Sequence, residues 1–275
     1  MALLKFALLG AVLLISGTQA RLPVSLQEKW GFLERLDDSA RVVGGENAAI
    51  GEAPYQISLI RDYVIIKQHM CGGSLYNPRT VITAAHCTEG QKPGSLIVRM
   101  GTNKANTPGA GAPDVKVTEI RQHADYNPNT IENDISLLIL ANPVSPSSNV
   151  DFIPLETEDL ADGDPVKVFG WGLTDGNAQS TPNDLQKGQL KVVSREKCQA
   201  KWGDVNAIAP GMICAIAEST QACNGDSGGP LVSASGKLTG VVSWGPSKCP
   251  PGEYMAVFTL PKYYKDWIAE KAAKV

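Results

Sequence analysis

The chain has 275 residues, of which 43% are hydrophobic, 19% charged and 6% aromatic, so it is long and apolar enough to bury one large core or two smaller ones. This mixture excludes both a disordered chain and a multi-pass membrane protein. With 28 acidic against 25 basic groups the formal charge is −3, which offers no bulk attraction for nucleic acid.

Residues 1–20, MALLKFALLGAVLLISGTQA, place Lys5 ahead of an uncharged apolar run from Phe6 to Ile15 and end on small residues at Ala20. That run is too short to span a bilayer, so the segment reads as a secretory signal peptide cut after Ala20, and the mature protein is expected to be secreted, extracellular and free of the membrane. Residues 21–41 form a second block, with Glu28, Lys29, Glu34, Arg35, Asp37 and Asp38 and a terminal Arg41. A boundary falls there, because Val42-Val43-Gly44-Gly45 begins a pattern of apolar pairs and glycines that continues to residue 275.

From residue 42 onward, short apolar or alternating runs recur between Gly, Pro and Asn: 55–60, 73–76, 81–85, 95–100, 115–123 and 134–140, then 165–171, 189–193, 229–233, 238–244 and 255–260. Such spacing predicts an all-β sandwich or barrel in two halves, separated by the turn-rich stretch 141–164. Only 262–274, with Trp267, Ile268 and Ala272 on one face, predicts a helix. The six cysteines, Cys71, Cys87, Cys198, Cys214, Cys223 and Cys249, all follow Arg41. In an exported chain they are expected to form disulfides, and the lack of CxxC and HExxH signatures argues against zinc. Six cysteines permit 15 pairings; neighbour with neighbour is the simplest.

Histidine, the side chain whose ordinary pKa lies near neutral, is scarce: His69, His86 and His123 are the whole supply. His86 stands out in Thr83-Ala84-Ala85-His86-Cys87, at the end of an apolar run and beside a cysteine that anchors its backbone. Ser227 lies in Asn224-Gly225-Asp226-Ser227-Gly228-Gly229-Pro230, where three glycines leave its hydroxyl approachable and let the N–H groups of Gly225 and Ser227 converge as an oxyanion site. The competing reading is a plain glycine turn into the next strand. Asp134 opens the apolar run Asp134-Ile135-Ser136-Leu137-Leu138, where a carboxylate is costly unless a buried donor such as an imidazole N–H needs it; otherwise it is a simple strand-start residue.

In the order His, Asp, Ser, these segments resemble the chymotrypsin-like serine peptidases. The resemblance covers residues 42–275 and is carried by VVGG after Arg41, TAAHC around His86, NDISLL around Asp134, GDSGGP around Ser227 and SWG at Ser243 to Gly245. It implies two six-stranded antiparallel β-barrels with the active site between them and a C-terminal helix. By the same resemblance His86 is the general base, Asp134 its orienter, Ser227 the nucleophile, and Gly225 with Ser227 the oxyanion hole. It further implies disulfides Cys71–Cys87, Cys198–Cys214 and Cys223–Cys249. Cleavage after Arg41 by a trypsin-like protease would free an α-amino group on Val42 to pair with Asp226, making 21–41 an activation peptide. His69 resembles the histidine that holds this aspartate before activation. Protein or peptide substrates and protein protease inhibitors are the implied partners, and a monomer the implied state.

For specificity, the resemblance places Gln221 at the base of the primary pocket, Ala222 beside it, Gly245 and Gly252 on its walls, and Ser243, Trp244 and Gly245 along the substrate backbone. Trypsin-like members carry an aspartate at the base; a neutral amide offers little to a cationic side chain. The expectation is therefore a chymotrypsin-like preference for large apolar or aromatic residues in protein digestion, with elastase-like or broad collagenolytic cleavage as the competitor. The family's calcium loop is not supported, because Thr102-Asn103-Lys104 lacks the acidic ligand, and no metal or cofactor is expected. A protease-like binding protein without activity would lack a triad residue, an oxyanion glycine or the cleavage site, and all of these are present.

Overall fold

Among the described residues, thirteen strands form two closed antiparallel barrels of six strands each, with one short strand added outside. The computed structural model describes residues 45–63, 65–109, 114–173 and 181–274. The expected signal peptide and activation segment, with Arg41 and Val42, lie outside them.

The first barrel runs β2 (Gln56–Asp62), β3 (Lys67–Asn77), β4 (Thr80–Thr83), β7 (Ser136–Leu140), β6 (Val115–Gln122) and β5 (Leu96–Arg99), closed by pairing of β2 with β5. The second runs β8 (Pro165–Gly170), β9 (Gln186–Val193), β10 (Met212–Ile216), β13 (Ala256–Thr259), β12 (Leu238–Trp244) and β11 (Pro230–Ser233), closed by pairing of β11 with β8. The two-residue β1 (Glu46–Asn47) pairs with β9. Closure removes the unpaired edges that an open sheet would expose. Leu59, Leu75, Ile82, Leu96, Val98 and Leu137 fill one core, and Val168, Leu190, Leu231 and Phe258 the other.

Residues 141–164 contain no named strand and are moored to both barrels. Ile153 N donates to Leu75 O at 2.9 Å, while Glu156 N donates to Leu238 O at 2.9 Å. The buried Glu156 carboxylate accepts from the Ser233 and Ser235 hydroxyls at 2.8 and 2.7 Å. Burial alone would raise its pKa, but these hydroxyls and the backbone N–H groups of Glu158 and Thr157 hold it down at about 2.

Among the described residues there are three short α-helices: α1 (Ala85–Thr88), α2 (Arg195–Trp202) and α3 (Lys265–Lys271). The tail helix is shorter than expected because 261–264, opening on Pro261, forms a 3₁₀ turn. It returns to the first barrel, where the His123 ring packs on Tyr264 and Trp267 at 5.4 and 5.0 Å between centroids. The α2 helix was not expected from the sequence. Its exposed face is charged and only Cys198 and Trp202 are buried, so it has little apolar periodicity; the Ser194 side chain caps it by accepting from Lys197 N.

All three disulfides join neighbours along the chain, Cys71–Cys87, Cys198–Cys214 and Cys223–Cys249. At Gly72 and the Ser227–Gly229 turn, between the barrels, backbone lies on backbone. Gly72 N, on β3, donates to Ser227 O at 2.7 Å. A Cβ on Gly72 would come within 2.9 Å of Gly229 Cα, so neither position has room for a side chain.

Candidate active site

His86 stands on α1, after the end of β4, a correction to its expected place at the tip of a strand. The Cys71–Cys87 disulfide ties this turn to β3, and the buried Thr88 hydroxyl lies 3.0 Å from Ala85 O and from Ser136 Oγ. Asp134 precedes β7 by two residues, also a small departure from the expected strand start. Ile131 and Asn133 in the turn before it take left-handed backbone, φ 55° and 57°, a conformation that costs a β-branched residue about 1–3 kcal/mol. The turn is held by Asn133 Nδ2 donating to Asp125 O at 2.8 Å, and Thr259 Oγ1 donates to Asp134 O at 2.7 Å.

The Asp134 carboxylate is fully buried and receives three donors: His86 N at 2.8 Å, His86 Nδ1 at 2.8 Å and the Ser243 hydroxyl at 2.6 Å. Burial favours its neutral form, but the His86 charge and these hydrogen bonds prevail and hold its pKa below the ordinary value. An ionised carboxylate can only accept, so His86 carries its proton on Nδ1 and turns a lone pair outward on Nε2. That nitrogen is buried and has no hydrogen-bond partner among the described residues, Ser227 included. Contacts of this kind commonly tighten only when substrate is seated.

Burial also opposes the charged form of His86, yet the Asp134 charge and hydrogen bond outweigh it and raise the imidazole pKa above 6.5. A base must be deprotonated to act. The acid limb of kcat/KM is therefore expected at a pH above 6.5, and a pH–rate profile on a small peptide checks it; a limb near pH 5 would contradict the coupling.

Ser227 sits between two left-handed glycines, Gly225 at φ 90° and Gly228 at φ 76°. A Cβ on Gly228 would collide with Thr83 Oγ1 and approach Gly72 O to 2.7 Å, so this turn requires glycine for its space as well as its backbone angle. The N–H groups of Asp226, Gly228 and Gly229 are consumed in backbone hydrogen bonds, whereas those of Gly225 and Ser227 enter none among the described residues. Two uncommitted donors beside a serine can meet one developing negative charge.

Asp226 is fully buried and accepts from Gly172 N at 2.8 Å and Cys223 N at 3.0 Å. No cation reaches it among the described residues. Desolvation, only partly opposed by the two N–H donors, pushes its pKa up to about 8. His69 does not hold this aspartate, contrary to the resemblance. Its Nε2 lies 3.2 Å from Gly225 O, which can only accept, so the proton sits there and Nδ1 accepts from the Ser58 hydroxyl at 2.7 Å. Burial depresses the His69 pKa to about 4, and the ring is neutral.

Of the expected pocket residues, Gln221, Ala222 and Trp244 are buried, and Trp244 packs on Trp202 at 5.1 Å between centroids. A Cβ on Gly245 would make ordinary contact with Ala256, at 3.7 Å. Gly252, at φ 76° and packed on Glu218 O, lines a cavity of about 460 Å³ with Leu190, Ile216, Ala217 and Glu218 that Gln221 does not line. Ser243 was expected only as backbone; nothing in the sequence signals that its hydroxyl serves Asp134. The ligand atoms of Cys71, His86 and Cys87 lie within 4.8 Å of one another, but both sulfurs are spent in a disulfide, so this cluster offers no thiolate to a metal.

Two closed barrels, an imidazole–carboxylate couple on the first, and a glycine-braced serine entering the second define a serine endopeptidase. The trypsin family pattern matches residues 42–268. Trypsin beta of Drosophila erecta is 38% identical over 266 residues, covering 96% of this chain and 100% of that protein. Trypsin alpha-4 of Lucilia cuprina is 37% identical over 269 residues, covering 98% and 100%. The chain belongs to the trypsin family of serine proteases and acts on protein or peptide substrates. Among the described residues no helix is long and apolar enough to cross a membrane.

Proposed function

We propose a secreted digestive endopeptidase, made as a zymogen, that cleaves after large apolar or aromatic residues. Residues 1–20 direct export, 21–41 restrain the enzyme, and a separate trypsin-like protease cuts after Arg41. The family match beginning at residue 42 supports this boundary. The new α-amino group of Val42 supplies the cation that Asp226 lacks. The active species is a monomer and a target for protein protease inhibitors.

In the reaction His86 Nε2 takes the Ser227 hydroxyl proton as Oγ attacks the scissile carbonyl, and the oxyanion is met by the N–H groups of Gly225 and Ser227. Collapse expels the amine, which receives the proton from His86. Water then attacks the acyl-enzyme by the same exchange and releases the acid. Throughout, Asp134 stabilises the imidazolium and Ser243 keeps Asp134 in place.

The observation that carries the specificity is the neutral, fully buried amide of Gln221, which the family resemblance puts at the base of the primary pocket. The buried carboxylates among the described residues are Asp134, Glu156 and Asp226, and each is committed to other donors. None pairs with Gln221, and a lone amide oxygen does not repay the desolvation of an ammonium or guanidinium group. The relatives named trypsin favour the opposite choice, cleavage after Lys or Arg, so the test includes it. The full chain is activated with trypsin, the trypsin is selectively inhibited, and the product is treated with a fluorophosphonate and with peptides ending in Phe, Leu, Lys or Arg. Labelling of Ser227 with cleavage after Phe and Leu is expected. No labelling would sink the enzyme assignment, and preference for Lys or Arg would sink the specificity.

A further inference from the structure

We infer that Asn224-Gly225 is a site of spontaneous deamidation, and that the reaction limits the working life of the enzyme because the attacking nitrogen is the oxyanion donor of Gly225. The modification stands on the turn itself; its effect on turnover rests on the proposed role of Gly225.

Asn224 is the only asparagine followed by glycine; every other one precedes a residue whose side chain hinders approach to its backbone nitrogen. Both residues are half-buried, so water reaches them. Asp226 N donates to Cys223 O at 3.1 Å and closes a turn in which Gly225 has φ 90°. Inside that turn neither Asn224 O nor Gly225 N enters a hydrogen bond among the described residues, and the Asn224 side-chain amide enters none either. By contrast, the amide nitrogens of Asn103, Asn133 and Asn206 donate to backbone carbonyls at 2.7, 2.8 and 2.7 Å. The bond from His69 Nε2 falls on Gly225 O, beyond the unbonded peptide unit. Opposed rotations at Asn224 ψ and Gly225 φ, which glycine permits in either sign, therefore turn this unit without breaking a hydrogen bond.

That rotation brings Gly225 N onto Asn224 Cγ. The nitrogen gives up its hydrogen through water and bonds to Cγ, the Cγ–Nδ2 bond breaks, and Nδ2 leaves with that hydrogen as ammonia. The cyclic imide so formed has no hydrogen on Gly225 N, and the oxyanion donor is gone. Water then opens either C–N bond of the ring. The N–H returns beside a new carboxylate, as aspartate in one opening and in the other as isoaspartate with an extra backbone carbon. A fixed negative charge there opposes the charge that the site must stabilise.

For the test, the uncut full chain is held in mildly alkaline buffer and mapped by peptide mass spectrometry over time. Conversion of amide to acid at Asn224 is expected to run at least about tenfold faster than at any other asparagine. Asn224→Gln, whose ring closure is one member larger and slower, is expected to stay unconverted at that position. Turnover measured after trypsin activation is expected to fall in step with the converted fraction, whereas Asn224→Gln keeps its own starting value over the same time. In activated enzyme phosphonylated on Ser227, the phosphonyl oxygen engages the Gly225 N–H. That form is expected to convert about tenfold more slowly than activated Ser227→Ala, whose oxyanion site is open. Conversion at Asn224 no faster than elsewhere would overturn the inference, as would conversion that leaves turnover intact, or equal rates in the two activated forms. Absent Ser227 labelling of freshly activated enzyme sinks the proposed function instead, and conversion in the uncut chain still decides the modification.

Discussion

Replacing Ser227 by alanine is expected to lower kcat by about 10⁶-fold while leaving the thermal unfolding temperature nearly unchanged. The hydroxyl makes no hydrogen bond that the fold needs, whereas the backbone of the residue does, through Gly72 N at 2.7 Å to its carbonyl. Alanine keeps that bond and the positive-φ glycines on either side. Asp134→Asn is expected to cost about 10⁴-fold, because an amide presenting N–H to His86 Nδ1 favours the wrong tautomer. The double variant is expected to be no slower than Ser227→Ala, since without the nucleophile there is no proton for His86 to take. Single-turnover kinetics on the three proteins, with urea unfolding as the control, check this. Additive losses would mean that the residues do not work as one unit.

Asp226→Asn is expected to stabilise the uncleaved chain near pH 8 and to abolish the activity of the cleaved one. The Asp226 pKa is pushed from an ordinary 3.8 to about 8, chiefly by desolvation. Between these values the folded chain holds a proton that the unfolded chain has released, so stability falls as pH rises through the window. The full penalty at and above pH 8 is on the order of 5 kcal/mol. Asparagine removes the charge but turns an N–H toward Gly172 N or Cys223 N, which costs about 1–3 kcal/mol. The net gain at pH 8 is thus a few kcal/mol, and below about pH 4 the sign reverses. In the cleaved enzyme the Val42 ammonium would lose its counter-charge, the loop bearing Gly225 would relax, and peptide turnover is expected to fall at least 10²-fold. Urea midpoints of both uncleaved chains at pH 4 and pH 8 provide the check; a wild-type chain as stable at pH 8 as at pH 4 would contradict it.

The barrel strands were legible where alternation or β-branched residues marked them, as in Val115–Gln122 and Leu238–Trp244. Met212–Ile216 escaped because it is a five-residue apolar run without alternation, and α1 because four residues carry no helical period. The site showed itself through scarcity: three histidines, one glycine-crowded serine, and one carboxylate ahead of an apolar run. Contacts made by ordinary residues across the fold left no trace in the sequence. Ser243 reaches Asp134 over 109 positions, His69 bonds Ser58 and Gly225, and Asp226 takes backbone donors at Gly172 and Cys223.

The contact of Gly72 with Gly229 bears on how the enzyme fails. His86 and Asp134 belong to one barrel and Ser243 to the other, so the geometry of catalysis is also a gauge of how the barrels are registered. Where Gly72 meets Gly229 there are no rotamers with which to absorb a shear, and a slip of a few tenths of an ångström falls directly on the bond from Gly72 N to Ser227 O. Inactivation by mild denaturant is therefore expected to precede the loss of strand structure: the machine goes out of alignment while both its halves are still intact.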